Sequence, residues 1–186
     1  MATTLLGKAR LMVLASAGLF GIFVMHPVVA SANVSSAVRT SGRTCDGLTA
    51  TIVGTGGSDH LNGTSGPDVI VGLGGNDHIS GADGADHICG GRGSDTISGG
   101  AGSDTLTGDT GDDTIDGNGG DDTLGGGADD DTLDGGSGSD DLQGDDGDDT
   151  LSGGADDDTL DGGSGDDVEE GGSGTDDCDG STCIGD

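Results

Sequence analysis

From Gly54 to Asp179 the sequence repeats every nine residues, fourteen times, without an insertion or deletion. Numbered from Gly54, position 1 is glycine and position 6 is aspartate in every unit, the aspartates running from Asp59 to Asp176. Position 4 is glycine except at Asp129 and Asp156. Position 8 is Leu or Ile from Leu61 to Leu160, and then becomes Glu169 and Cys178. Position 7 holds His60, His78 and His87 in early units and is mostly threonine from Thr96 onward. A nine-residue period belongs neither to a helix nor to a half-buried strand. It marks a stack of like units, each too small to bury its apolar face alone.

Each recurrent position has a physical reading. Glycines at positions 1 and 4, often with another at 2, permit positive φ and close approach of neighbouring backbones, so positions 1 to 6 are expected to form a turn. Asp129 and Asp156 are the mildest replacements for a left-handed glycine. Positions 7 to 9, such as Thr96-Ile97-Ser98, are expected to form a very short strand. Its middle side chain points inward and the flanking two face water. Two units then make one coil with strands on opposite sides, and units of like parity stack at about 4.8 Å, the parallel strand spacing. Asp59, Asp77 and Asp95 fall above one another on one edge, and Asp68, Asp86 and Asp104 on the other. Bare carboxylates at that spacing repel, so the stack needs a bridging cation. One aliphatic side chain per nine residues also buries too little surface to offset the ordering of the chain. Ligation and folding should therefore be one event. Without His or Cys in the period, the donors are carboxylate and carbonyl oxygens, which suit Ca²⁺ better than Mg²⁺ or Zn²⁺. An EF-hand is excluded, because Glu169 and Glu170 are the only glutamates and the glycine content forbids its helices.

Composition narrows the partners. The chain carries 36 acidic residues against five basic ones, a formal charge of −31. Nucleic acid and anionic membrane surfaces would be repelled. Two phenylalanines and no tyrosine or tryptophan argue against an ordinary globular core. The combination of high charge and low hydrophobicity would read as disorder, but the strict register contradicts a purely disordered acidic polymer. At the N-terminus, Lys8 and Arg10 precede an apolar run at 11–24, and Ala30-Ser31-Ala32 follows as a small-residue cleavage site. This is the anatomy of a secretory signal peptide over 1–32, and the run is too short to span a bilayer. Extracellular localisation is the expectation. Residues 33–53 then form a lead-in and capping strand, 54–179 the repeat array and 180–186 a tail. Cys45, Cys89, Cys178 and Cys183 suit an oxidising compartment. Of the three connectivities, local pairing (45 with 89, 178 with 183) is favoured.

GGRGSDTIS and GGAGSDTLT (residues 90–107) fit the pattern G-G-x-G-x-D-x-U-x, with which the chain resembles the repeats-in-toxin (haemolysin-type) calcium-binding proteins. It is similar in particular to small secreted actinobacterial-type members with a comparable lead-in, CDGLTATIV (45–53). The resemblance implies an all-β fold, a right-handed parallel β-roll or β-solenoid. It also implies Ca²⁺ ions between successive turns, held by position-6 aspartates of units i and i+2 and by turn carbonyls. The matching residues are Asp59, Asp68, Asp77, Asp86, Asp95, Asp104, Asp113, Asp122, Asp131, Asp140, Asp149, Asp158, Asp167 and Asp176. Pairing fourteen units in this way allows at most about twelve ions. The last two aspartates lie in units that have lost the position-8 aliphatic. The cytolytic and proteolytic activities of large family members reside in separate domains and are not carried over.

Other signals are weaker. His60 and His78 share parity and should be neighbours on the outer face, where a two-imidazole transition-metal site competes with simple ladder positions. The threonine row is a candidate ice-binding face, though strand propensity accounts for it. No HExxH, Ser/His/Asp set or phosphate loop is present, and no enzyme activity is expected. GGADDDTLDGGSG occurs at 126–138 and again at 153–165, which suggests lengthening by internal duplication. The expectation is a secreted calcium-binding protein whose repeats fold on the ion. The alternative is a calcium-stiffened adhesive or structural module that contacts another protein or a cell wall. An enzyme accessory fragment is disfavoured by the short lead-in.

Overall fold

The computed structural model describes residues 43–179. The expected signal peptide, the start of the lead-in, Cys183 and the tail lie outside the described residues. Within them the chain is all-β, without a helix. Each nonapeptide lays down one strand, alternately in two all-parallel sheets of seven and eight strands. Pairing is offset by eighteen residues throughout. Thr96, Thr114, Thr132 and Thr150 adjoin in one sheet, while Thr105 and Thr123 adjoin in the other. Two nonapeptides thus complete each coil of a β-solenoid of about seven turns. Its interior is a double file of position-8 side chains, Leu61 to Leu160, all essentially inaccessible to water.

The strands are longer than the sequence suggests. Thr96–Ala101, Thr105–Thr110 and Thr114–Gly119 each run six residues, through positions 1 to 3 of the following unit. The turn is confined to the stretch around positions 4 and 5. Position 1 is part of the strand and points inward beside position 8, as the alternating burial shows. Beyond it the ladder resumes, with Asn118 opposite Gly136 and Gly119 opposite Ser137. The left-handed residues of the array accordingly fall at positions 2 and 4, as the glycines there suggested, and not at position 1. Asp109, Asn118 and Asp145 hold φ of 79°, 71° and 76° at position 2, and Asp129 and Asp156 hold 80° and 81° at position 4. These are short polar side chains of the kind that tolerates this region best.

The two ends depart from the repeat. Thr44–Cys45 and Leu48–Thr49 pair antiparallel about Asp46 and Gly47, both left-handed, the Asp-Gly signature of a tight hairpin. This hairpin is tied to the outer face of the eight-stranded sheet by a disulfide between Cys45 and Cys89. Cys45, Ala50, Val53 and Val71 form a second apolar cluster, with Val69, Leu73 and Cys89 against it. The outer face is therefore dry here, contrary to the expectation of a face wet along its whole length. The run Val69-Ile70-Val71, apolar at three successive positions, was the available signal. At the other end Glu169 occupies position 8, completely buried. Its Oε1 accepts the Gly162 N–H at 2.8 Å. Gly54 and Gly63, also at position 1, donate to carbonyls of the next coil instead, those of Val71 and Ser80.

Candidate metal centre

The position-6 aspartates stand where each turn re-enters a strand, and they form two columns along the two edges. Within a column each backbone N–H donates to Oδ1 of the aspartate one coil further on. Asp77 donates to Asp95 at 2.7 Å, Asp95 to Asp113 at 2.6 Å and Asp113 to Asp131 at 2.7 Å. On the opposite edge Asp86 donates to Asp104, Asp104 to Asp122 and Asp122 to Asp140, each at 2.8 Å. These bonds fix the carboxylates from Asp77 to Asp176 through one oxygen. The other oxygen is left over. Oδ2 of Asp77, Asp86, Asp95, Asp104, Asp113, Asp122, Asp131, Asp140, Asp149, Asp158 and Asp176 is buried without a hydrogen-bond partner. Such groups are rare in folded proteins because each costs its full desolvation.

The position-1 glycine explains where that oxygen goes. A Cβ built on Gly90 would lie 2.5 Å from Asp95 Oδ2 and 2.9 Å from the Gly108 carbonyl oxygen. One on Gly117 would meet Asp122 Oδ2 at 2.5 Å and the Gly135 oxygen at 2.6 Å. The carboxylate folds back over its own unit's first residue, into space that any side chain would fill. A carboxylate oxygen and a main-chain carbonyl oxygen border the same gap. The electrostatics are strained accordingly. Burial pushes the carboxyls of Asp113, Asp122 and Asp131 up to about 7 and that of Asp77 to about 6. The accepted N–H opposes the rise and neighbouring carboxylates add to it. The same burial raises Asp86, Asp95, Asp104, Asp140, Asp149 and Asp158. Orphaned anionic oxygens beside carbonyl oxygens fit a hard, oxygen-seeking divalent cation such as Ca²⁺.

The column ends are built differently. Oδ2 of Asp59 accepts from the N–H and hydroxyl of Thr55, and Oδ2 of Asp68 from those of Thr64. The Thr51 hydroxyl donates to Asp68 Oδ1. These threonines were not singled out from sequence, although Gly-Thr at positions 1 and 2 is confined to the first two units. Asp167 and Asp176 remain in register and accept the N–H groups of Asp149 and Asp158 through Oδ1. A second ladder at position 5 also went unread. Asp121, Asp130, Asp148 and Asp157 each accept an N–H from the following coil, Asp130 from Asp148 at 3.0 Å for example. Cys45 pairs with Cys89, while the pairing expected of Cys178 involves Cys183, outside the described residues. Cys45, Asp46 and Cys89 draw their donor atoms together, but a disulfide offers no thiolate to a metal.

Fold and columns together define a parallel β-solenoid of aspartate-lined nonapeptides. The family model of the RTX calcium-binding nonapeptide repeat matches in four copies, at residues 50–66, 62–97, 98–133 and 134–169, and the chain belongs to that family. No curated protein matches it.

Proposed function

We propose that the chain is a secreted calcium-binding protein whose repeats fold as Ca²⁺ enters between successive coils. The observation that carries this reading is the double column of carboxylates in which, from Asp77 to Asp158, one oxygen is hydrogen-bonded and the other is buried and unpartnered. Asp59, Asp68, Asp77, Asp86, Asp95, Asp104, Asp113, Asp122, Asp131, Asp140, Asp149, Asp158, Asp167 and Asp176 are the proposed ligands, pairing one coil with the next, for at most about twelve ions. The bound ion supplies positive charge that cancels the repulsion within each column. The chain itself supplies the rest: N–H groups that orient the carboxylates, glycines that leave room, and an aliphatic interior that sets the coil spacing. Where calcium is scarce the columns repel and the chain stays open. At the roughly 10⁻⁴–10⁻³ M typical of extracellular modules the columns close. The signal-like N-terminus supports export, and no catalytic step is assigned.

The test is far-UV circular dichroism with calcium added and then removed by a chelator. The expected result is a β spectrum that appears at millimolar calcium and vanishes on chelation. A disordered spectrum unchanged at millimolar calcium overturns the proposal. Calorimetry in the same buffer gives the number of ions.

A further inference from the structure

Outside the aspartate columns, one pair of side chains stands out as metal-binding chemistry of a different kind. His60 and His78 are paired in register on adjacent parallel strands, His60–Asn62 and His78–Asp83. Both are exposed on the outer face of the seven-stranded sheet. Their ring centroids are 5.4 Å apart and their planes are inclined at 50°. We infer that His60 and His78 form a two-imidazole site for a borderline transition-metal ion, with Zn²⁺ as the reference case.

Imidazole nitrogens bind zinc at about 2.0–2.1 Å, so two donors on one ion stand roughly 3 Å apart. The centroids are 5.4 Å apart and a ring nitrogen lies roughly 1 Å from its own centroid, so nitrogens turned toward each other come to about that separation. The inclination keeps them from stacking face to face, so rotation about the outer side-chain bonds lets one nitrogen of each ring converge. Exposure leaves the remaining coordination positions to water. Donor type separates this site from the calcium columns, since nitrogen ligands favour Zn²⁺, Ni²⁺ and Cu²⁺ over Ca²⁺ and Mg²⁺. So does position. His60 and His78 are exposed, whereas Asp77, one residue before His78, is buried. The surrounding charge helps, because −31 over the chain concentrates cations at its surface. The third histidine of the array is an internal control. His87 lies in the other sheet between Val69 and Thr105, with no imidazole beside it. Thr96 follows His78 in its own row, so the pair is bounded.

The experiment is a Zn²⁺ titration of the full chain in millimolar calcium, followed by proton NMR of the imidazole resonances. Four histidines and two other aromatic side chains leave that region readable. The resonances of His60 and His78 are expected to shift together, saturating at one zinc per chain, with His87 unmoved at that point. His60→Thr and His78→Thr, which install the residue later units carry there, should each weaken binding at the remaining histidine roughly tenfold or more. His87→Thr should leave the titration unchanged. Circular dichroism on the same samples separates this result from the calcium reading. A folded spectrum in which His60 and His78 respond independently, or in which losing one leaves the other's affinity intact, overturns the two-imidazole site and leaves the calcium proposal standing.

Discussion

At the scale of the residue, the aspartate of position 6 accepts an N–H through one oxygen and, on the proposed reading, would offer the other to calcium, and substitution can separate the two. Asp113→Asn keeps an oxygen to accept the Asp95 N–H, a bond of 2.6 Å, but turns the buried, unpartnered Oδ2 into an uncharged amide. Because burial already pushes that carboxyl up to about 7, the calcium-free chain should lose nothing by the change. The calcium midpoint of folding should rise roughly tenfold, about 1.4 kcal/mol, as read by circular dichroism against free calcium. A midpoint equal to that of the unsubstituted chain would remove Asp113 from the ligand set. The glycines divide just as sharply. Gly117→Ala would drive a Cβ to 2.6 Å from the Gly135 carbonyl oxygen, which is main chain and cannot step aside, so a loss of about 1–3 kcal/mol is expected. Gly119→Ala two residues later meets the Ser137 side-chain hydroxyl at 3.3 Å and the Gly100 carbonyl oxygen at an ordinary 3.9 Å, and should stay close to neutral. Urea midpoints in calcium for the two variants check the contrast.

At the scale of the element, the period, its parity and the position of every aspartate were legible, because a side chain that recurs every eighteen residues must stack in a two-unit coil. Strand length was not. Glycine at position 1 looks like a turn residue, and only the packed structure shows that it is strand, emptied of a side chain to admit the Asp carboxylate. The left-handed role falls instead to position 2, where Leu73 and Ala82 stand beside glycines. So mixed a set of residues hides a backbone requirement that only φ reveals. The ends were harder still, since terminal units answer to what they cap. Thr55 and Thr64 fill a carboxylate's second oxygen at one end, and Glu169 takes the Gly162 N–H at the other. The hairpin is held by a disulfide that closes 44 residues of chain. Replacing Cys45 and Cys89 together by alanine should cost about 2–4 kcal/mol. The loss should appear as a lower urea midpoint in calcium and as earlier proteolysis around residues 43–53. An unchanged midpoint would mean that the apolar cluster of Ala50, Val53 and Val71 holds the cap alone.

At the scale of the whole solenoid, the proposed ligation would make protons and calcium alternative ways of discharging the same two columns of carboxylates. Asp113, Asp122 and Asp131 are raised from 3.8 to about 7 and Asp77 to about 6 when folded without metal. A carboxyl with a raised folded value binds its proton more tightly in the folded state. Its contribution to stability is therefore complete below the unfolded value of 3.8 and is lost as pH rises through about 6 to 7. The calcium-free chain should consequently gain β structure as it is acidified from about pH 8 to about pH 4. Calcium reverses the slope, since the ion needs the ionised carboxylate and must displace any proton there. Its midpoint should fall as pH rises through the same interval, with protons released on binding. Parallel circular dichroism titrations in calcium and in chelator, with sedimentation to confirm a monomer near the acid end, test both slopes together. If the calcium-free chain stays disordered down to about pH 4 while calcium folds it at about pH 8, neutral carboxyls do not suffice. The ion would then have to bond the two coils directly, beyond cancelling their charge.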